Sequence, residues 1–454
     1  MSFSTSSPEP IVIIGAGPSG LLLAKYLEQN EIPVVVYEGD PSPDYRPQGG
    51  SLDLHEETGL LALKETNLLE DAQKLMRSEG EAMKVVDKTG KIWLDENESK
   101  DVKEIKIGEL AGRPEIDRTD LRNLLIQSIK PTTIKWDHKI KSIKAINNSL
   151  YEITFENKPN IKTPYLIGAD GTFSLVRSSL LHDIKPNYSG CSMYELEITS
   201  TSNLTKELED YIGKGSLIIL DEKKAFMVQM NSNKKAKIYL ALNCSREFQN
   251  DNPLPISNKK EWLYNKFFGD DWLPQVKQLI MASEENDIKQ RKIYQFDPNL
   301  SWKTDKTGVT VIGDSAHQMS PFAGEGVNQA LADALLLGQT LVPLFITTQS
   351  SLPSSGNSSL PPFPLSFLPI SSNTTYTTSK ILVTPSSDGL YKALRGYEKK
   401  MMKRAKPEMK GSMENMDMFF GDQAAKKLSE FMNFHAGGGI SPTLVMGFKM
   451  LTGW

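Results

Sequence analysis

The sequence predicts an α/β protein: a parallel-sheet, nucleotide-binding part, interrupted by a separate antiparallel β-sheet and followed by a C-terminal helix. Three observations carry that expectation. Short apolar, β-branched runs recur far apart in the chain, at Ile11–Ile14, Val34–Tyr37, Tyr165–Gly168 and Val309–Ile312. This is the pattern of strands buried on both faces. The first, third and fourth runs each lead directly into a glycine-bearing turn. From about residue 190 to 245 the pattern changes to separate strands with polar turns between them, such as Ser232-Asn233-Lys234-Lys235, which reads as an inserted antiparallel sheet.

The first unit is the most specific. Ile11–Ile14 runs into Gly15-Ala16-Gly17-Pro18-Ser19-Gly20, then the helical Leu21–Leu27, then Val34–Tyr37 ending in Glu38. Gly15 allows the tight turn, Gly17 lets the backbone approach a pyrophosphate, and Gly20 permits close helix–strand packing. The helix N-terminus offers free N–H groups and a positive dipole end to phosphates. Glu38, roughly 20 residues on, stands where an acid accepts hydrogen bonds from a ribose. Strand, helix, second strand and acid together predict a Rossmann-like dinucleotide-binding unit.

Further along, Lys84–Asp87 and Lys91–Leu94 around Lys88-Thr89-Gly90 predict a hairpin, and Asp120–Ile129 an amphipathic helix capped by Asp117 or Thr119. Tyr151–Phe155 alternates like a strand, and Tyr165–Gly168 ends in the Asp170-Gly171 turn. Met193–Ile198, Ala225–Met230 and Ile238–Leu242 read as strands of the inserted sheet, closed by a helical stretch over Lys259–Ala282. After Gly313-Asp314 and Pro321–Gly326 comes a long apolar helix. A Ser/Pro/Thr-rich segment then reads as a structureless insertion. The expected division is 1–80, 112–180 and 301–346 for the nucleotide-binding domain and 81–111 and 181–300 for the substrate domain. The insertion covers 347–386 and a helical segment 387–454.

Composition narrows the function. The chain has 454 residues, 39% hydrophobic and 24% charged, enough for more than one domain. A net charge of −4 without a basic cluster argues against nucleic acid as a partner. Two cysteines, Cys191 and Cys244, exclude a disulfide scaffold and a cysteine-ligated zinc, and the five histidines show no metal-ligand spacing. Met1–Pro10 lacks a secretory layout. Val327–Phe345 is broken by Asp333, Gly338 and Pro343, and a span needs roughly 20 mostly apolar residues, so no membrane span is expected. A soluble, cytoplasmic protein acting on a small molecule follows, as a monomer or weak homo-oligomer.

The glycine motifs at 15–20, 170–171 and 313–326 each follow a buried strand, which places them at one carboxyl edge of one sheet. A nucleotide reaching all three must be long, and FAD suits that better than NAD. Asp314 can accept from ribityl or ribose hydroxyls. The helix beginning near Gly326 would aim its positive end at the flavin pyrimidine ring.

On these residues the sequence resembles the FAD-dependent aromatic hydroxylase family of the para-hydroxybenzoate hydroxylase type, and within it the tetracycline-inactivating flavin monooxygenases. The likeness is carried by Gly15–Gly20 with Tyr37-Glu38, Gly49–His55, Pro114–Arg122, Asp170–Arg177, Gly313–His317 and Pro321–Asn328. It implies that Glu38 binds the FAD ribose and that Asp53, Arg118 and Arg122 contact the flavin nucleotide. Asp314 would serve the diphosphate–ribityl region, with Pro321, Gly324 and Gly326 at the flavin. Arg46 would lie near flavin and nicotinamide, and Asp170-Gly171 would serve both FAD and NADPH or NADH. The implied activity is NAD(P)H-driven monooxygenation of an electron-rich aromatic or enolic carbon through a flavin C4a-hydroperoxide, with no essential catalytic side chain. Rival readings are a flavin oxidase or reductase on the same fold, and a non-enzymatic redox sensor.

The sequence departs from the tetracycline-inactivating pattern at Gly39, where Arg is frequent, and at Glu325, where Gln is usual. Glu195 and Ser216 replace the Gln and Arg that grip tetracycline. Away from the resemblance, plainer expectations hold. His317 reads as a packed, hydrogen-bonded histidine, Glu195 and Glu197 as solvated carboxylates, and Lys399–Arg404 as solvated helix surface. Arg118 and Arg122, one helical turn apart, would by themselves mark a solvated face, and the methionines between Met401 and Met418 read as packing.

Overall fold

The computed structural model describes residues 8–45, 49–97, 106–199, 203–351 and 377–436. Its centre is a five-stranded sheet in the order Val309–Val311, Leu166–Gly168, Ile11–Ile14, Val34–Tyr37 and Ile134–Lys135, parallel throughout. Ile11–Ile14 lies in the middle and is buried at every residue, which is why its sequence is uniformly apolar. The helices Pro18–Gln29, Arg118–Gln127 and Gly326–Phe345 complete this layer. The glycine that interrupts the apolar helix has a packing reason. A Cβ at Gly338 would sit 2.4 Å from the Tyr26 ring, so Gly338 lets Gly326–Phe345 approach Pro18–Gln29.

The second sheet has seven strands, ordered Lys289–Gln295, Asn187–Ile198, Ala236–Asn243, Lys224–Met230, Ser216–Asp221, Met83–Asp87 and Ile92–Asp95. It is antiparallel except where Ser216–Asp221 pairs with Met83–Asp87 in parallel. That pair joins two distant chain segments, so no hairpin dictates its direction. One face packs on the helices Lys206–Ile212, Lys259–Phe267 and Pro274–Ala282. The other packs on Phe322, the end of the helix Ser387–Phe419 and the helix Ala424–Ala436.

Three local expectations change. Lys259–Ala282 is two helices: Gly269 adopts φ +74° between them and Pro274 starts the second. The C-terminal segment also holds two helices. Ser387–Phe419 is one, opened by Ser386 accepting from the Gly389 N–H, and Ala424–Ala436 is the other. Third, the insertion is not structureless from residue 347: Ile346–Ser351 and Thr377–Leu382 form an antiparallel pair, supported by the β-branched run at each end. Residues 352–376 lie outside the described residues. Among the described residues no helix is long and apolar enough to cross a membrane.

The seven-stranded sheet meets a small antiparallel pair, Ser51–Asp53 with Glu115–Asp117, at a buried polar seam. The Gln229 amide accepts from the Ser51 N–H at 3.0 Å and donates to the Ser51 carbonyl and the Glu115 carboxylate, both at 3.3 Å. Arg77 reaches Ser51 Oγ, Asp117 and the Met230 carbonyl. Asp117 does occupy the N-cap of Arg118–Gln127, but makes no side-chain cap bond. Its carboxylate is taken by Arg77 and Ser232.

Candidate cofactor site

A cavity opens at the carboxyl edge of the parallel sheet. Its lining includes Gly17, Pro18 and Ser19 after Ile11–Ile14, Gly171 after Leu166–Gly168 and Asp314 after Val309–Val311. Arg118, Pro321, Gly324 and Gly326 complete it. The three glycine motifs therefore converge because their strands are neighbours in one parallel sheet. Gly15 takes φ +105°, and a Cβ on it would meet the Ala169 carbonyl oxygen at 2.2 Å. At Gly17, Gly171 and Gly326, by contrast, a Cβ would meet nothing within 4 Å. Those backbones face open space.

Two helix N-termini point their first turns at this space. The helix at Pro18 is preceded by Gly17 and the one at Gly326 by Glu325, and neither N-cap residue makes a side-chain cap bond. Their first-turn N–H groups remain available to an anion. Asp314 and Arg118 interact across the cavity, and no hydrogen bond from a described residue satisfies either side chain. Burial pushes the Asp314 carboxyl above its ordinary pKa, against the pull of Arg118 and His317. At the far side, Glu38 accepts from the Ala16 N–H at 2.6 Å and the Asp40 N–H at 2.9 Å. Each oxygen keeps a lone pair for a further donor. Phosphate-seeking backbones, a hydroxyl acceptor and a cation in one cavity fit a dinucleotide.

The frame behind the cavity is the polar face of the helix Gly326–Phe345. Asp333, fully buried, accepts from the Gly313 N–H at 2.8 Å, holds His317 Nε2 at 2.6 Å and pairs with Arg404. Asn328 accepts from the His55 N–H at 2.9 Å and donates to the Asp53 carbonyl at 3.0 Å. Arg404 Nε also donates to Gln329 Oε1 at 2.9 Å. One helix thus fixes both the Gly313-Asp314 turn and the Ser51–His55 segment.

Comparison with known proteins agrees with this geometry. A family model described as FAD binding domain matches residues 9–351. The chain belongs to this family of FAD-dependent monooxygenases. The monooxygenase asqM of Emericella nidulans is 26% identical over 474 residues, covering 93% of this chain and 98% of the relative. The monooxygenase penA of Penicillium thymicola is 27% identical over 466 residues, with the same coverage of 93% and 98%. Among solved structures, Klebsiella pneumoniae HpxO complexed with FAD and uric acid superposes with a TM-score of 0.67 at 16% identity, over 98% of each chain. Tetracycline destructase Tet(55) gives 0.66 at 17%, over 97% of this chain and 98% of its own. At such identities the structural likenesses show the fold.

For this FAD-binding monooxygenase the structure brings Gly17, Arg118, Gly171, Asp314, Pro321, Gly324 and Gly326 to one cavity. Gly15, Gly20 and Glu38 build its glycine loop. Arg122 buttresses that loop, with Nε donating to the Ala16 carbonyl at 3.3 Å and Nη1 to the Pro43 carbonyl at 2.6 Å. Asp170 is turned inward and accepts from Ser174 Oγ and the Leu175 N–H. Asp53 sits in a buried cluster with His55. Arg46 lies outside the described residues.

Other side chains depart from their sequence reading. Arg118 is half-buried and Arg122 buried, so the pair is not a solvated face. Glu195 and Glu197 are not freely solvated either: they pair with Arg291 at 2.7 Å and Lys237 at 2.6 Å. Lys399, Lys400 and Lys403 are exposed as expected, but Arg404 turns inward to Asp333. His317 is buried and hydrogen-bonded, as its sequence context implied. The framing roles of Asn328, Asp333 and Arg404 escaped the sequence reading. The only signal was an acid inside an apolar helix.

Proposed function

We propose that the protein uses NADPH or NADH and O₂ to hydroxylate an electron-rich aromatic or enolic carbon of a small phenol- or polyketide-like molecule. In balance, the substrate gains one oxygen atom, the other leaves as water, and NAD(P)H with one proton becomes NAD(P)⁺. FAD, when bound, supplies the hydride acceptance and oxygen activation. The chain's own residues bind, orient and exclude water.

The observation that carries this reading is the place of Arg118. It lines the cavity with Asp314 and lies within electrostatic range of Tyr239, Glu195 and Arg291 on the seven-stranded sheet, so the cavity adjoins the face of the second sheet. The cavity wall itself is apolar at Ile312, Met319, Val327 and Ala330, and the sheet face beyond it is core packed under Phe322 and Phe419. A dry apolar surface beside a redox cofactor favours transfer of oxygen to a carbon over its loss to water. Relatives of the same fold support the substrate class by their names, which include 2,6-dihydroxypyridine-3-hydroxylase and tetracycline destructase. Tetracycline is not the proposed substrate, because Glu195 and Ser216 stand where the resemblance expects the Gln and Arg of the polar grip, and Glu195 is engaged by Arg291.

In this reading Gly17 and the Pro18 helix N-terminus hold the pyrophosphate, Glu38 the ribose, and Arg118 and Asp314 the central hydroxyls and phosphates. Arg46 and the Asp170-Gly171 turn flank the nicotinamide nucleotide. The nucleotide-binding part comprises 1–80, 112–180 and 301–346, the substrate part 81–111 and 181–300, and the protein works in the cytoplasm. The test mixes the yellow protein with NADPH or NADH without oxygen and follows the flavin absorbance. Bleaching by either nucleotide, accelerated by a phenol or enol, is expected. Flavin that neither nucleotide reduces, with or without such a compound, overturns the reading in favour of an oxidase or a sensor.

A further inference from the structure

A buried charge cluster centred on His55 lies beside the cavity. His55 lies between two carboxylates, with Nε2 3.3 Å from Asp53 Oδ2 and Nδ1 3.2 Å from Glu325 Oε1. All three side chains are at least nine-tenths buried. Glu325 sits between Gly324 and Gly326, both of which line the cavity, and forms the N-cap of the helix Gly326–Phe345. Its other oxygen accepts from Gln329 Nε2 at 3.4 Å. The sequence places this acid where an uncharged Gln is usual in the resembling family, and an amide could accept the imidazolium N–H but would give it no counter-charge. Two buried carboxylates with one histidine between them are tolerable only while the histidine carries its proton.

We propose that His55 is a positioning residue for the cofactor site, whose imidazolium pins the Gly324–Gly326 turn to the Ser51–Asp53 strand, so that FAD affinity depends on one proton held by His55. Four charged groups of the described residues, Asp53, Glu325, Arg113 and Glu408, bear on that proton. Burial alone would pull the histidine down, but Glu325, with the hydrogen bonds to Asp53 and Glu325, outweighs it and raises His55 to about 9. The same contact holds Glu325 below its usual range against the effect of burial. Arg113, across from Asp53 and Glu325, adds positive charge. Glu408, from the helix Ser387–Phe419, faces Glu325 and His55; burial and Glu325 raise it to about 7, below the histidine's range. Loss of the His55 proton leaves one ring N–H between two buried carboxylates, with Arg113 the counter-charge facing them among the described residues, so one of the two ring bonds joining the turn to the strand is lost.

The proposal rests on FAD binding only, so its failure leaves reductant and substrate untouched. The test dilutes the holoprotein at a series of pH values and reads released FAD by fluorescence, with circular dichroism confirming the fold at each pH. The expected FAD dissociation constant is flat from about pH 6 to 8 and rises roughly tenfold per pH unit beyond about 9, the slope of one linked proton. In Glu325→Gln the break moves down by about one pH unit or more, whereas a merely structural contact would weaken binding equally at all pH values. An unmoved break overturns the proposal. Should Glu325→Gln fail to fold, the His55 ring signals of the wild-type holoprotein decide by NMR, assigned with His55→Gln. Titration near 9 supports the proposal, and titration near the ordinary 6.5 overturns it.

Discussion

Asp333 is the residue on which the cavity wall most depends, and its replacement tests the frame quantitatively. Its side chain has 0% exposure and serves three partners: the Gly313 N–H, His317 Nε2 and Arg404. In Asp333→Ala the first two become buried donors without acceptors, each costing about 1–3 kcal/mol. Arg404, with 27% of its side chain exposed, can turn to water and adds little. The expected destabilisation is therefore about 4 kcal/mol, a large part of the roughly 5–15 kcal/mol of a folded domain. Asp333→Asn keeps one acceptor for Gly313 and His317 and loses only the charged bond to the partly exposed Arg404, so about 1 kcal/mol or less is expected. The assay is urea unfolding at fixed free FAD, because bound FAD itself stabilises by mass action. FAD per protein is read from the flavin absorbance. Because Gly313 carries Asp314 into the cavity, both variants should also lose FAD, Ala more than Asn. An Ala variant with the wild-type midpoint and full FAD content would refute the reasoning.

Other predictions concern the seam, the glycine loop, the site and the insertion. Burial, helped by the charge of Asp53, raises Glu115 to about 8 against the pull of Ser51, Arg77 and Gln229. Its stabilising contribution is complete below the unfolded value near 4.5 and lost as pH rises through 8. The melting temperature should thus fall over that window, and Glu115→Gln should flatten the fall; identical slopes would contradict it. A Cβ at Gly20 would lie 2.2 Å from the Gly15 carbonyl oxygen, and one at Gly17 in open space. Gly20→Ala should therefore lose fold and FAD together, and Gly17→Ala FAD alone, as circular dichroism and flavin content will show. Asp314→Ala and Glu38→Ala should each fold and release FAD faster on dilution; unchanged yellow colour in both would count against the shared site. Ser351 pairs with Thr377 across the antiparallel pair, so a two-residue turn can replace residues 352–376. That variant should keep its melting temperature and FAD.

The parallel sheet was legible in the sequence because burial on both faces leaves little choice of residue, and a glycine turn marks each strand that feeds the cavity. Lys289–Gln295 was not legible: it is an edge strand, and Lys289, Arg291 and Lys292 break the apolar pattern by which the other strands were found, although charge suits an exposed edge. Arg404 shows a second limit. Its neighbours Lys399, Lys400 and Lys403 are solvated, and local periodicity gives Arg404 no different signal; its partner Asp333 lies 71 residues away. Asp117 met the local rule for an N-cap, but the seam claimed its carboxylate. Glu195 and Glu197 alternate correctly for one face of a strand, yet only the register opposite Tyr239 and Lys237, with Arg291 on the next strand, shows them paired. Partners across strands and helices decide what such polar residues do, and one sequence does not contain that pairing.

The most direct test of the account is the fate of labelled oxygen. The purified protein is turned over with NADPH or NADH under ¹⁸O₂, against a panel of phenols and enolic polyketides, with nucleotide consumption and H₂O₂ recorded together. The account predicts at least one compound that accelerates nucleotide oxidation and gains a single ¹⁸O atom, with little H₂O₂. Nucleotide oxidation that yields stoichiometric H₂O₂ and no labelled product across the panel would contradict it.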